Sequence, residues 1–105
     1  MSKTNETTRN IIAYLFEQGV FAFRTNSTGV FDGKLGYMRT APKTGVADIL
    51  ACGNGRFIAI EVKTGADRPR PEQIGFQRSV EATGGTHFYV KDFEDFKHQW
   101  EELQF

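Results

Sequence analysis

Residues 45–63, Gly-Val-Ala-Asp-Ile-Leu-Ala-Cys-Gly-Asn-Gly-Arg-Phe-Ile-Ala-Ile-Glu-Val-Lys, constrain the fold more than any other stretch of the chain. Apolar residues dominate 46–52 and 57–62, and Asn54-Gly55 lies between them. Asn-Gly between two apolar runs is the strongest short-range signal for a β-hairpin. Three charged residues interrupt the apolar pattern: Asp48, Glu61 and Lys63. A two-residue turn at Asn54-Gly55 places Gly53 opposite Arg56, Leu50 opposite Ala59 and Asp48 opposite Glu61. Opposed residues share a face of the sheet, with Cβ atoms roughly 5 Å apart. Lys63 follows Glu61 by two residues and so shares that face. A three-residue Gly53-Asn54-Gly55 loop with a bulge would instead put Asp48 opposite Ile60.

Two carboxylates held face to face destabilise a sheet unless positive charge lies between them. A hard divalent cation with oxygen ligands suits the pair, and Lys63 is a lesser candidate. Such an ion can activate water and offset the charge of a phosphodiester. Mg²⁺ is commonly held by only one or two carboxylates, with water and substrate oxygens completing its octahedron. Asp48 and Glu61 supply that pair, the backbone carbonyl of Val62 is a further possible ligand, and Lys63 could hold the attacking water. An Asp followed by Glu-x-Lys on the next strand is short and common by chance. The deduced opposition is what gives it weight.

The flanking chain supports an α/β reading. Residues 5–18 carry Ile11, Ile12, Leu15 and Phe16 at helical spacing, with Gly19 as a stop. Residues 20–25 read as a strand, and 35–39 as a possible short one after the Asp32-Gly33-Lys34 turn signal. Pro71 suits the first position of a helix that runs to about Ala82 and ends at Gly84-Gly85. Residues 86–91 form a last strand. Phe93, Phe96 and Trp100 give a closing helix its apolar stripe. The order is α-β-β-β-α-β-α, a mixed β-sheet flanked by helices, in a single domain spanning residues 1–105.

On the central helix, Gln73 shares a stripe with Phe76, Gln77 and Val80. It is either hydrated at the core edge or directed into the site beside Lys63. Arg24, Lys34, Arg39 and Lys43 make the first half locally basic, and Arg68 and Arg70 precede the second helix. They are either ordinary surface charge or a phosphate-contacting surface. Thirteen basic and thirteen acidic residues leave no net charge, which argues against a purely electrostatic nucleic-acid binder. Cys52 is the only cysteine, so a thiolate zinc cluster and an intrachain disulfide are excluded. Its strand position predicts a small buried filler. No signal-peptide pattern and no apolar run of bilayer-spanning length is present, so the expectation is a cytoplasmic domain with no membrane partner.

Gly45–Leu50, Gly55–Lys63, Arg70-Pro71-Glu72-Gln73 and Gly84-Gly85 before a strand together resemble the VRR-NUC family, within the PD-(D/E)XK nuclease superfamily. Arg24–Gly29 also looks like the strand-end segment of its small standalone members, many of them phage-encoded. The resemblance covers nearly the whole chain in order. It implies a restriction-endonuclease-like sheet similar to Holliday junction resolvases, and an endonuclease that uses Mg²⁺ or Mn²⁺ to cut DNA. The implied substrate is branched or structured DNA, or duplex DNA that is nicked. A homodimer is also implied, in the host cytoplasm if the protein is phage-encoded. Asp48 and Glu61 correspond to metal ligands, Lys63 to the catalytic lysine and Gln73 to the motif glutamine. Ala47 replaces the family's usual proline. A first-helix glutamate that faces the metal is expected near Thr4, whereas the nearest carboxylate is Glu6. Two residues along a helix is a rotation of roughly 200°, so Glu6 can serve only if the helix starts differently. That departure sustains an alternative: a DNA-binding module that keeps the fold without robust catalysis.

Overall fold

The computed structural model describes residues 3–25, 30–32, 37–39 and 45–105. Three helices flank a four-stranded mixed sheet. In chain order these are α1 (Lys3–Glu17), β1 (Phe21–Arg24), β2 (Val30–Asp32), β3 (Tyr37–Arg39), β4 (Ile49–Gly53), β5 (Arg56–Val62), α2 (Pro71–Ala82), β6 (Thr86–Val90) and α3 (Phe93–Leu103). The main sheet runs β1-β4-β5-β6. β1, β4 and β5 pair antiparallel, and β6 pairs parallel to β5. A parallel partner needs a crossover, and α2 supplies it. Set apart from this sheet, β2 and β3 pair only with each other, so the short strand expected at 35–39 adds nothing to the main sheet.

Asn54 (φ 51°) and Gly55 (φ 73°) are both left-handed, as a two-residue type I′ turn requires. Gly53 therefore faces Arg56, Cys52 faces Phe57 and Ile49 faces Ile60. The two-residue alternative is the one observed, and Asp48 lies one step beyond the last pair, level with Glu61.

Alternation along the strands sends apolar side chains to both faces. Ile49, Ile58, Ile60, Val62, Phe88 and Val90 meet Ile11 and Leu15 of α1 and Phe96 and Trp100 of α3 in the main core. Phe96 is fully buried and meets Tyr14 and Phe88 edge to face. The opposite face carries only a small cluster, Ala47, Ala59 and Val80, with Leu50 and Phe76 against it. One twelve-residue helix, α2, cannot cover four strands. Phe21, Phe23 and Phe57 on that face are 69, 46 and 43% exposed.

Two expectations change here. Cys52 is exposed rather than a buried filler, because it lies between Phe21 and Phe57 on the part of the face that α2 leaves open. Phe16 is 81% exposed, because the stripe of α1 that meets the sheet is Thr8, Ile11 and Leu15. No helix among the described residues is long and apolar enough to cross a membrane.

Candidate active site

The chain bends at Asp48, immediately before β4, where Thr25 of the neighbouring segment holds it. The Thr25 hydroxyl donates to the Ala47 carbonyl at 2.6 Å, and the Thr25 amide donates to the Asp48 carbonyl at 2.9 Å. With Ala47 engaged on that side, the Val62 amide turns to the Asp48 carboxylate, donating to Oδ2 at 2.8 Å. The Asp48 side chain thus continues the ladder that its own backbone leaves, and its carboxylate is locked over β5.

Glu61 and Lys63 are both buried, at 4 and 8% exposure, so their charges depend on neighbours rather than on water. Lys63 Nζ lies 3.8 Å from Glu61 Oε1 and 3.7 Å from Asp67 Oδ2. Gln73 donates from Nε2 to Glu61 Oε1 at 3.3 Å. Its Oε1 accepts the Arg70 amide at 2.9 Å, the reciprocal half of a cap on α2. Both ends of the amide are used, and the polar residue on an apolar stripe is explained: Gln73 is directed into the site. Glu61 Oε2 is buried with no partner.

The Glu61 carboxyl is pushed up to about 8, first by burial and then by the Asp48 charge, with Lys63 pulling the other way. In the metal-free protein Glu61 therefore keeps its proton near neutral pH. Hard oxygen donors converging on a buried carboxylate oxygen that nothing satisfies are the donor set a small divalent cation takes. The residues present fit such an ion.

Glu6 is not brought to this pair. It is exposed on α1, and Thr4, two residues earlier, where the family resemblance expects a glutamate, has its hydroxyl 2.9 Å from that of Thr64. The helix begins at Lys3, so no shift in its start rescues Glu6. Among the described residues no third His, Cys, Asp or Glu joins Asp48 and Glu61. Val62 contributes its amide to Asp48, a role the sequence did not suggest. Arg68 and Arg70 are exposed, with Arg70 at the start of α2. Arg24 is exposed and donates to Asn5 of α1. Arg39 lies on β3, and Lys34 and Lys43 lie outside the described residues.

Five residues were missed: Asp67, Thr25, Thr4, Thr64 and Tyr89. Asp67 anchors Lys63, and its only signal was a carboxylate four residues on in a polar loop. Thr25 and the Thr4–Thr64 pair depend on contacts far apart in sequence. Tyr89 is paired with Glu61 in the parallel register, and its hydroxyl is buried without a partner. Burial, followed by the Glu61 charge, raises the Tyr89 phenol above its ordinary value. A larger cleft of about 660 Å³ runs along α1 past Thr8, Ile12, Phe16 and Arg24, and shares no residue with the carboxylate pair.

No protein-family profile and no curated protein matches the chain. Solved structures do. One described as a VRR_NUC domain superposes with a TM-score of 0.72 at 17% identity, covering 96% of this chain and 97% of that one. A Holliday junction resolvase, Hjc, from the archaeal hyperthermophile Archaeoglobus fulgidus superposes with a TM-score of 0.58 at 18% identity, covering 84% of this chain and 67% of that one. At these identities the likeness establishes a shared resolvase-like nuclease fold.

Proposed function

We propose that the protein is a divalent-metal-dependent nuclease that hydrolyses DNA phosphodiester bonds. The observation that carries this reading is the buried Glu61 beside the half-buried Asp48, with an unsatisfied oxygen on Glu61 and the Lys63 amino group 3.8 Å away. Asp48 and Glu61 would hold Mg²⁺ or Mn²⁺, with the Val62 carbonyl as a further oxygen. The ion supplies Lewis-acid polarisation of the phosphoryl oxygen and a water that loses its proton near neutral pH. The chain's own residues do the positioning. Gln73 orients Glu61, the Val62 amide orients Asp48, and Asp67 holds Lys63. The Lys63 side chain places positive charge beside the phosphate and can hold the attacking water. That water forms the new P–O bond as one ester bond breaks.

The proposed substrate is branched or structured DNA, of the kind after which the similar resolvase is named, or duplex DNA that is nicked. A homodimer suits paired cuts at a symmetric junction. The exposed Phe21, Phe23 and Phe57 on one sheet face support an interface between copies. Light scattering at micromolar concentration is expected to give a dimer mass, and the Phe21→Ser/Phe57→Ser double variant a monomer. A monomeric wild type would sink the interface.

A plasmid-nicking assay with Mg²⁺ or Mn²⁺ tests the activity. Lys63→Ala is expected to lose about 100-fold or more in rate while keeping DNA affinity within a few-fold. Cleavage that survives the substitution removes Lys63 from the mechanism. One observation favours a second reading, a DNA-binding module without robust catalysis. Thr4, not a carboxylate, stands where the family resemblance expects the first-helix glutamate, and its hydroxyl is engaged by Thr64. DNA binding with no cleavage in either metal selects that reading.

A further inference from the structure

A second cavity opens beside Lys63, and neither Asp48 nor Glu61 lines it. It has a volume of about 350 Å³ and lies between the segment after β5 and the start of α3. Lys63, Asp67, Pro69, Lys91, Asp95 and Gln99 form its walls. It sits at the carboxyl ends of the parallel strands β5 and β6, where α/β sheets form their ligand crevices.

The walls are held before any ligand arrives. Gln99 donates from Nε2 to the Tyr89 carbonyl at 2.8 Å and to Asp95 Oδ1 at 3.3 Å. Asp95 Oδ2 accepts the Lys91 amide at 2.8 Å. Asp67 is tied to Lys63 at 3.7 Å. The volume equals that of roughly a dozen liquid water molecules, which admits one nucleotide but no base pair.

Charge decides what fits. Two lysines and two aspartates line the cavity, so a phosphate inside would meet both carboxylates. A neutral planar ligand that both donates and accepts hydrogen bonds suits the walls better, with the Pro69 ring as an apolar surface. A nucleobase has those properties, and it reaches such a pocket only when it is out of the stack. Lys63 belongs both to the cavity wall and to the candidate active site.

We propose that the cavity beside Lys63 receives a single unstacked nucleobase next to the scissile phosphate. This rests on the nuclease reading and makes it narrower: the substrate must offer an unpaired or easily unpaired nucleotide at the cut, as branch points and flaps do. Lys91 and Gln99 then select substrates without taking part in the chemistry.

The test uses four-way-junction and flap DNA carrying 2-aminopurine at each nucleotide around the cut, bound in EDTA so that nothing is cleaved. One position is expected to brighten about threefold or more on binding. Lys91→Glu, at the exposed mouth, and Gln99→Phe, which fills the cavity, should each abolish that response. An abasic nucleotide at the same position should weaken binding about tenfold. If the abasic substrate binds like the parent, the cavity holds a phosphate or nothing, and the proposal fails. It fails equally if no position brightens, or if both variants keep the response. Cleavage without a 2-aminopurine response overturns the base pocket and leaves the nuclease reading intact. A response at one position without cleavage in any metal keeps the pocket and overturns the nuclease reading.

Discussion

Glu61→Gln is expected to reduce metal-dependent cleavage by at least about 1,000-fold, and at the same time to make the metal-free protein more stable at alkaline pH. Both outcomes have one cause. The Glu61 carboxyl is buried, unsatisfied at Oε2 and beside the Asp48 charge. Its folded value is raised from 4.5 to about 8, so the folded state holds a proton that the unfolded chain releases. For a carboxyl raised in this way, stability is fully present below the unfolded value. It is lost as pH rises from 4.5 to about 8 and is level above that. Glutamine keeps the shape and the neutrality without the proton. The variant should match wild type near pH 4.5 and melt about 5 °C or more above it at pH 8.5. Mg²⁺ or Mn²⁺ should raise the melting temperature of wild type at pH 8 and leave the variant unmoved. Thermal melts across pH, with and without metal, read all of this. A variant that melts below wild type at pH 8.5 contradicts the assignment of an unsatisfied buried carboxyl.

Gly45→Ala is expected to cost about 2–5 kcal/mol and to weaken metal binding about 10–100-fold, although Gly45 has no side chain to offer an ion. Its φ is +80°, and a Cβ there would lie 2.3 Å from the Glu72 carbonyl oxygen and 2.6 Å from its carbon. Those atoms are backbone in the first turn of α2, so no side-chain rotation relieves the contact. Either α2 moves away or the chain leading to Asp48 does. Each movement breaks the 3.3 Å bond from Gln73 to Glu61. Gly55→Ala is the control. Gly55 also has a positive φ, of 73°, but open space where the Cβ would go. It should cost only the backbone conformational penalty, about 1–2 kcal/mol. Equal losses in urea unfolding for the two variants would show that the close approach to Glu72 carries no energy.

Much of the site was legible because its sequence signals are local. The hairpin register follows from Asn54-Gly55 and the alternation on either side of it, and that register alone brings Asp48 level with Glu61. Pro71 marks the start of α2, which places Gln73 in the first turn where it both caps the helix and reaches Glu61. What was not legible depends on surface coverage and long-range contacts. An apolar run shows that Cys52 lies in a strand, but not that a single helix leaves that part of the face bare. A helical stripe shows that α1 is amphipathic, but Phe16 lies about 100° from Leu15, and only packing decides which of them turns inward. Thr4 meets Thr64 across 60 positions, and no local pattern reveals such a pair. The β2–β3 pair also stands outside the main sheet, which local propensity does not reveal.

The bend at Asp48 has a kinetic consequence. Asp48 reaches the Val62 amide across only fourteen positions of chain, and a two-residue turn lies between them. A hairpin of this kind closes in about 1–10 μs. β6 joins β5 only after the whole α2 crossover is in place, and so carries the larger loop-closure entropy. The expected order is therefore that the carboxylate pair forms with the hairpin, and the lysine anchor and the cavity beside it follow. Ile58→Val is expected to slow refolding in stopped-flow measurements, whereas Val90→Ala should chiefly accelerate unfolding. The reverse pattern would place the nucleus on the parallel side of the sheet. On that order the repulsion between Asp48 and Glu61 is met during folding itself, so ions and protons that relieve it are expected to change the folding rate as well as the stability.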